Sequence, residues 1–229
     1  MAVPADSYTP LTVTEVNSGQ SVTVYNQAPS LRGRIDNLWS NEPVENTDYR
    51  GWDITLNKRM SNGWSLMGGA SFGKTTGNTL SGIDLNNPNS SQFLKGIYGN
   101  DTPWSYKLSG VYELPFQITT SATAIYYAGF PELTTVLVNS QTVALIQTSQ
   151  SVSVEPRGST RTPSVFNLDL GIQRPVKYRA FTFSPRIDLY NLANQSTILS
   201  RVTTLGPAYT RAVTIQRGRV IKFGGKISF

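Results

Sequence analysis

The last thirteen residues of the chain, 217–229, constrain the fold more than any other stretch. Apolar and polar side chains alternate there, so that Phe223 and Ile227 fall on one face while Lys222 and Lys226 fall on the other. A period of two residues is typical of a β-strand with one apolar and one polar face. The stretch therefore predicts an amphipathic strand, and an amphipathic strand needs a neighbouring sheet.

The chain then stops on an aromatic residue, Phe229. In outer-membrane β-barrels the closing strand pairs with the first strand, and aromatic residues sit at the membrane interface. This ending resembles the assembly signal of bacterial outer-membrane proteins, which the barrel-assembly machinery reads, with Phe223, Ile227 and Phe229 as the signal residues. A strand that closes a soluble sheet would show the same alternation, and that alternative stays open at this point.

Composition narrows the possible functions. The 229 residues contain no cysteine and no histidine, which excludes disulfides and thiolate metal sites and removes the commonest general base. The net charge is +6, but the basic residues are scattered along the chain, which argues against a nucleic-acid surface. Loop 84–89 holds one carboxylate, too few for calcium. We expect no enzyme activity, no cofactor, no metal and no nucleic-acid partner.

No apolar run is long enough for a transmembrane helix, although barrel strands carry only a weak hydropathy signal. Residues 1–6 lack the basic region and apolar run of a signal peptide. An outer-membrane protein must be exported. We therefore expect this chain to be a piece of a longer polypeptide.

The rest of the chain repeats the strand pattern. Alternating runs bounded by turn residues predict about nine strands, at 11–16, 21–26, 48–60, 64–74, 103–114, 116–127, 163–173, 179–191 and 217–229. Short turns alternate with long segments, as they do in transmembrane barrels. The predicted fold class is all-β: a single partial domain over 1–229, an antiparallel transmembrane β-barrel of which these nine strands form the C-terminal part. The β-branched runs 133–138 and 143–148 are predicted to extend the sheet beyond the membrane.

Aromatic residues stand at both ends of the predicted strands. Trp64, Tyr112 and Phe116 lie next to short turns, and Trp104 and Tyr126 lie at the long-loop ends. Two such girdles are what partitioning to the two membrane interfaces predicts. The alternative is that tryptophan and tyrosine simply favour strands.

Charged residues fall on the opposite, polar face of the strands. In a wide barrel that face lines a water-filled interior. The candidates for this lining are Asp53, Arg59, Lys107, Glu113, Asp169, Arg186, Asp188, Lys222 and Lys226. They could contact a substrate, but we favour a charge network that satisfies neighbouring strands, since a barrel of this size needs many such residues whatever its cargo.

Four segments then suggest a family. Residues 109–116 (SGVYELPF), 166–171 (FNLDLG), 187–194 (IDLYNLAN) and 223–229 (FGGKISF) resemble, in order, motifs near the end of TonB-dependent receptors. The similarity covers about residues 37–229 and is strongest to the Oar-like subgroup, which carries an N-terminal carboxypeptidase-regulatory-like domain. The resemblance implies a barrel of about 22 strands.

The resemblance also implies TonB-driven uptake of a bulky nutrient across the cell outer membrane. The family's plug domain and TonB box have no counterpart in this chain, so we expect it to contact TonB only through a missing N-terminal part and to be inactive alone. Its other expected partners are outer-membrane lipid and the barrel-assembly machinery. Two alternatives remain: a small complete porin-like barrel, which predicts pairing of 11–16 with 217–229, and a soluble β-rich carbohydrate-binding module, which predicts Phe166, Phe181 and Phe183 packed between two sheets.

Overall fold

A computed structural model describes residues 3–34, 46–78, 87–93 and 95–229. Apart from the four-residue helix α1 (Pro88–Ser91) and short 3-10 turns, the regular structure is β. The fifteen strands of the described residues are β1 (Tyr8–Thr14), β2 (Ser21–Gln27), β3 (Thr47–Ser61), β4 (Trp64–Asn78), β5 (Lys95–Ile97), β6 (Trp104–Leu114), β7 (Ile118–Tyr127), β8 (Thr135–Asn139), β9 (Ser149–Ser153), β10 (Val165–Gln173), β11 (Val176–Tyr178), β12 (Phe181–Tyr190), β13 (Ile198–Arg201), β14 (Ala212–Ile215) and β15 (Val220–Ser228).

One large antiparallel sheet dominates the fold. Its long strands follow one another in chain order, β3-β4-β6-β7-β10-β12-β15, with short β5 added to β4 and short β11 added to β12. Each long strand pairs with the long strand before it and the long strand after it in the chain, so the sheet is a simple meander. The predicted all-β, antiparallel fold class is confirmed.

The strands of the meander are joined by short turns at one end and by long segments at the other. Asn62 (φ 53°) and Gly63 (φ 78°) make the tight β3–β4 turn, because a hairpin turn of this kind needs positive φ. Pro115–Gln117 joins β6 to β7, and β7 starts only at Ile118 because Phe116 (φ 63°) and Gln117 (φ 61°) leave the extended region. The long segments are a first connection (79–103), a second (128–164) and a third (191–219).

A second, smaller structure stands at the long-connection end. The β1–β2 hairpin and the β8–β9 hairpin each form a two-stranded sheet of their own. Together with α1 they make what we call the outer assembly. Their buried side chains form a hydrophobic cluster of the described residues: Val13, Val22, Val24, Val136, Val138, Leu145 and Val152. This part of the chain is therefore packed like a water-soluble domain core.

The outer assembly corrects the sequence prediction at the N-terminus. Residues 11–14 and 21–26 lie in strands, whereas predicted strand residues 15 and 16 lie in or beside the turn. Both strands are outside the large sheet, and β1 pairs with β2 and not with the terminal strand β15. The physical reason is burial: Val13, Val22 and Val24 are enclosed by protein. A barrel strand would turn such an apolar face outward.

The second long connection also differs from the prediction. Of the two β-branched runs, 133–138 supplies most of β8, which pairs with β9 and does not extend the large sheet. Run 143–148 is not a strand. It lies in the loop of the β8–β9 hairpin and buries Leu145 among the valines of the cluster. Parts of the long segments between predicted strands 21–26 and 48–60 and between 64–74 and 103–114 lie outside the described residues, as do residues 84–86 of loop 84–89.

Candidate functional site

The two faces of the meander differ sharply in chemistry, and the strand register shows this directly. Side chains of directly paired residues lie on the same face. One row runs Leu56, Gly68, Leu108, Ala124 and Leu168 across five strands. The neighbouring row on the other face runs Thr55, Gly69, Lys107, Ile125 and Asn167.

The apolar face is exposed to its surroundings. On the last two strands Ile187 pairs with Phe223 and Leu189 with Ile221, and Phe223 is 74% exposed. The same holds on the other strands, where the exposed members include Trp52, Ile54, Leu56, Tyr106 and Leu108. An exposed apolar surface of this extent marks an interaction with protein or membrane. The rings of Phe181 and Phe183 are about half exposed, so they are not enclosed between two sheets.

An aromatic row bounds this face at the long-connection end. Trp104 and Tyr126, both predicted, lie 4.8 Å apart between ring centroids. Three rings that the sequence analysis missed extend the row: Phe72 contacts Tyr106 at 5.6 Å, and Tyr126 contacts Phe166 at 6.1 Å. Pairing of the predicted strands in register would have identified these rings, because Phe72 lies opposite Trp104, and Tyr106 follows Trp104 on the same face.

A second aromatic row bounds the face at the short-turn end. Trp64 pairs with Tyr112, and Phe116 is exposed at the next turn. Lys58, another residue that the sequence analysis missed, lies with its Nζ 3.7 Å from the centroid of the Trp64 ring and donates to the carbonyl oxygen of Trp64 at 2.9 Å. From Phe72 to Trp64 the strand rises about 27 Å, at about 3.4 Å per residue. Tilted by about 35–45°, a strand of this length covers about 19–22 Å along the barrel axis, somewhat less than an apolar band about 25 Å tall.

The predicted polar residues share the other face. Register places Asp53, Lys107, Glu113, Asp169, Arg186, Asp188, Lys222 and Lys226 on it. Arg59 falls inside the register shift between Lys58 and Ser61, so pairing does not assign it to a face.

Within this polar group one pair is in direct contact. Arg186 Nε donates to Asp188 Oδ1 at 2.8 Å. Gly171 lies opposite Asp188 and leaves room for the pair, since a Cβ there would be 3.0 Å from Asp188 Oδ1 and 2.6 Å from Ser121 Oγ. Lys222 is the cross-strand neighbour of Asp188. The arrangement is a local charge network and has no nucleophile–base geometry.

Asp169 has a different role, at the base of the third long connection. It accepts hydrogen bonds from Asn167 Nδ2 and from the backbone N–H of Asn191, both at 2.8 Å. The buried Asn191 side chain in turn donates to the carbonyl oxygens of Gln195 (2.8 Å) and Arg217 (2.7 Å). Asn191 thus ties both ends of the connection together, which the sequence analysis did not anticipate.

The part of the chain that the structure describes holds no group of three or more His, Cys, Asp or Glu that could bind a metal ion. Among the described helices, none has the length and apolarity to cross a membrane.

Comparison with known proteins gives a likeness in fold to a solved structure. No protein-family model and no curated protein matches the chain. The crystal structure of the siderophore receptor PiuA from Acinetobacter baumannii is similar, with a TM-score of 0.50 and 15% sequence identity over 80% of this chain. The match covers 22% of PiuA, so this chain spans about a fifth of that receptor. At this identity the likeness concerns the fold alone, which is that of part of an outer-membrane receptor barrel.

Proposed function

We propose that this chain is the C-terminal barrel segment of a TonB-dependent outer-membrane receptor, and that the whole receptor imports a bulky substrate with energy delivered through TonB. One observation carries the proposal. An exposed apolar face runs across the meander between two aromatic rows, on a fold shared with a siderophore receptor. Lipid is the surrounding that stabilises such a face. The localisation that follows is the cell outer membrane.

The strand directions support a partial barrel spanning the chain. The seven long strands alternate in direction, so the edge strands β3 and β15 run the same way. Bacterial barrels are antiparallel with an even strand count. Closure would therefore require an odd number of further strands between β3 and β15. A longer polypeptide of the receptor family supplies them, as the four sequence motifs of its Oar-like subgroup also suggest.

The polar face then lines the aqueous interior, with Asp53, Lys107, Glu113, Asp169, Arg186, Asp188, Lys222 and Lys226 among its residues. We assign the Arg186–Asp188 pair, which lies within β12, to charge neutralisation on the polar face and not to substrate binding, because the two groups pair with each other. TonB would act through the plug and TonB box that the family carries elsewhere in its chain. This segment alone would be inactive in transport, and its direct partners would be lipid and the barrel-assembly machinery.

The proposal is tested by labelling single cysteines in a chain that has none of its own. Adjacent residues supply matched pairs: Lys107→Cys with Leu108→Cys, and Lys222→Cys with Ile221→Cys. The purified chain is refolded into phosphatidylcholine vesicles and treated with a charged, water-soluble maleimide. We expect labelling at positions 107 and 222 and protection at 108 and 221, because the second pair would face lipid.

The control is labelling of the same four variants in the unfolded state. The same variants in urea should all be labelled, which shows that the thiols are intact. Equal labelling of all four positions in the presence of vesicles, or a chain that stays in solution without vesicles or detergent, would overturn the membrane assignment. Protection at 107 and 222 with labelling at 108 and 221 would reverse the two faces.

A further inference from the structure

A basic cavity lies beyond the aromatic row at the long-connection end of β3, β4 and β5. Its volume is about 690 Å³, and its lining includes Asp48, Lys74, Thr76, Lys95 and Arg157. Pockets of this size accommodate a sugar-sized or drug-sized group. Three cations and one carboxylate therefore surround a space large enough for an organic anion.

The register shows which side of the sheet this cavity is on. Trp52 pairs with Phe72, and the next pair on the same face is Arg50 with Lys74. The pair after that, Asp48 with Thr76, also lines the cavity. Lys74 therefore stands on the apolar face, and Lys95 shares it, because Ile97 pairs with Thr76 and lies two residues from Lys95. Arg157 reaches the cavity from the second long connection. Lys74 is two residues beyond the aromatic row, a rise of about 7 Å along the strand.

Arg157 is held in place by β5. Ile97 N–H donates to the carbonyl oxygen of Arg157 at 3.1 Å. Gly99 makes room for the guanidinium group, since a Cβ there would lie 2.9 Å from Nη1. The Nε of Arg157 is buried without a hydrogen-bond partner among the described residues. A buried donor of this kind is costly unless an acceptor reaches it, so the guanidinium is positioned for an anionic oxygen.

Among the described residues these cations have no ion-pair partner. Within the described ranges, no carboxylate lies within 4.0 Å of Lys74, Lys95 or Arg157, whereas Arg161 and Arg201 each have one at ion-pair distance. Asp48 lines the cavity without closing on a cation. The described lining of the cavity therefore carries a net positive charge.

We propose that this cavity binds the phosphorylated sugar headgroup of an anionic glycolipid in the outer leaflet. The inference rests on the proposed function, because it needs the apolar face to be turned toward lipid. Arginine recognises phosphate oxygens through its planar fork, and lysine supplies point charges. Cations next to an apolar membrane-facing band attract anionic lipids. A transported substrate would be expected on the polar face, which the cavity does not share.

The test compares lipid binding by three forms of the full chain. These are the wild type, the variant Lys74→Gln/Lys95→Gln/Arg157→Gln, and a control, Lys107→Gln/Lys222→Gln/Lys226→Gln, that removes the same charge from the polar face. Each is refolded into phosphatidylcholine vesicles that contain lipid A or fully dephosphorylated lipid A. Bound lipid is counted by native mass spectrometry after extraction into mild detergent. A parallel arm adds excess inorganic phosphate to the vesicles that contain lipid A.

We expect the wild type and the control variant to retain lipid A and to release the dephosphorylated form. The cavity variant should bind lipid A on the order of 100-fold more weakly, since each cation near an anionic surface contributes roughly fivefold. Salt should weaken wild-type binding by screening. Inorganic phosphate should not displace lipid A, because it lacks the sugar and the acyl chains.

Three outcomes would overturn the inference. Equal retention by the cavity variant and the wild type shows that these cations do not hold the lipid. Equal loss in the control variant shows a non-specific charge effect, and displacement by inorganic phosphate shows a simple anion site. In all three the chain still inserts into vesicles, so the proposed function stands. Failure of the wild type to insert overturns both proposals, and that result is visible before any lipid is counted.

Discussion

Arg201 and Glu132, 69 residues apart in the sequence, clamp the third long connection to the second. Arg201 Nε donates to Glu132 Oε1 at 2.9 Å, and Arg201 Nη2 donates to Glu132 Oε2. The Glu132 side chain is 7% exposed and that of Arg201 25%. The hydrogen bonds that Arg201 donates to the Glu132 carboxylate raise the pKa of Arg201, so the guanidinium keeps its charge. Two segments that carry no sequence signal of contact are thus joined by a part-buried ion pair, beside two backbone hydrogen bonds between Thr135 and residues 203 and 205.

Glu132→Gln should loosen this clamp. Removing one partner of a fully buried ion pair costs roughly 3–5 kcal/mol, and a partly exposed arginine should lower this to about 2 kcal/mol. Hydrogen exchange of the amides in β8 and β13 should speed up accordingly. Asp6→Asn, an exposed carboxylate in the same end of the molecule, is the control and should change nothing. Unchanged exchange in Glu132→Gln would show that the pair does not hold the connections together.

Val24→Ala should destabilise the outer assembly alone. Val24 is fully buried, and losing two methyl groups from a packed core costs roughly 2 kcal/mol. We expect faster proteolysis within β1 and β2. Maleimide labelling of cysteines at positions 107 and 108 of the large sheet should be unchanged. The matched control is Val16→Ala, at a position exposed to solvent. Coupled loss of both parts would mean that the outer assembly and the large sheet fold as one unit.

The β1–β2 turn should weaken in acid. The Glu15 carboxylate accepts hydrogen bonds from the Asn17 side chain (2.7 Å) and from the backbone N–H of Ser18 (2.6 Å). These bonds lower the pKa of Glu15 from 4.5 to about 2. Because the folded turn favours the charged form, its contribution is complete above pH 4.5 and is lost as the pH falls toward 2.

An NMR titration of the Glu15 carboxyl carbon measures this directly. A midpoint near 4.5 would contradict the hydrogen-bonded turn. Glu15→Gln should remove the acid-dependent change in exchange at Asn17 and Ser18, and Asp6→Asn should leave it in place.

Gly171→Ala should disturb the polar face more than the same change at Gly69. A Cβ at 171 would meet Ser121 Oγ at 2.6 Å, whereas at 69 its nearest neighbour is a carbonyl oxygen at 3.8 Å. Overpacking typically costs 1–3 kcal/mol, and a rotatable serine should keep this near about 1 kcal/mol. Denaturant unfolding in detergent measures the difference. A Gly69→Ala variant that is equally destabilised would attribute the effect to the strand backbone and not to the space beside the Arg186–Asp188 pair.

Phe229→Ala should reduce assembly of the chain into membranes. The ring is 98% exposed, with Phe181 at 6.5 Å between centroids, so its removal should hardly alter the fold. If Phe229 is part of an assembly signal with Phe223 and Ile227, the inserted fraction in the presence of purified barrel-assembly machinery should fall several-fold. Insertion into plain vesicles should be nearly unchanged. Phe116→Ala, at another exposed ring, is the control. An equal fall in the inserted fraction for this variant would show that the effect reflects affinity for the membrane interface and not an assembly signal.

Much of the large sheet could be predicted from the sequence, because alternation within a strand depends only on neighbouring residues. The strands around Leu108, Leu168 and Phe223 and their two faces follow from a period of two residues, and Asn62-Gly63 predicts its own turn. The aromatic rows were predicted in part: Trp104 and Tyr126 were identified, whereas Phe72 and Phe166 join them only through pairing with other strands.

What only the tertiary structure decided is which strands belong together. Residues 11–16 and 21–26 show the local pattern of a barrel strand, yet Val24 is buried against Val138 and Val152, from a segment more than a hundred residues away. Whether an apolar face meets lipid or protein depends on what the rest of the chain brings to it. Ion pairs such as Arg201–Glu132 and the cavity beside Lys74 have the same origin: they need residues distant in sequence to be close in space, and local periodicity carries no information on that distance.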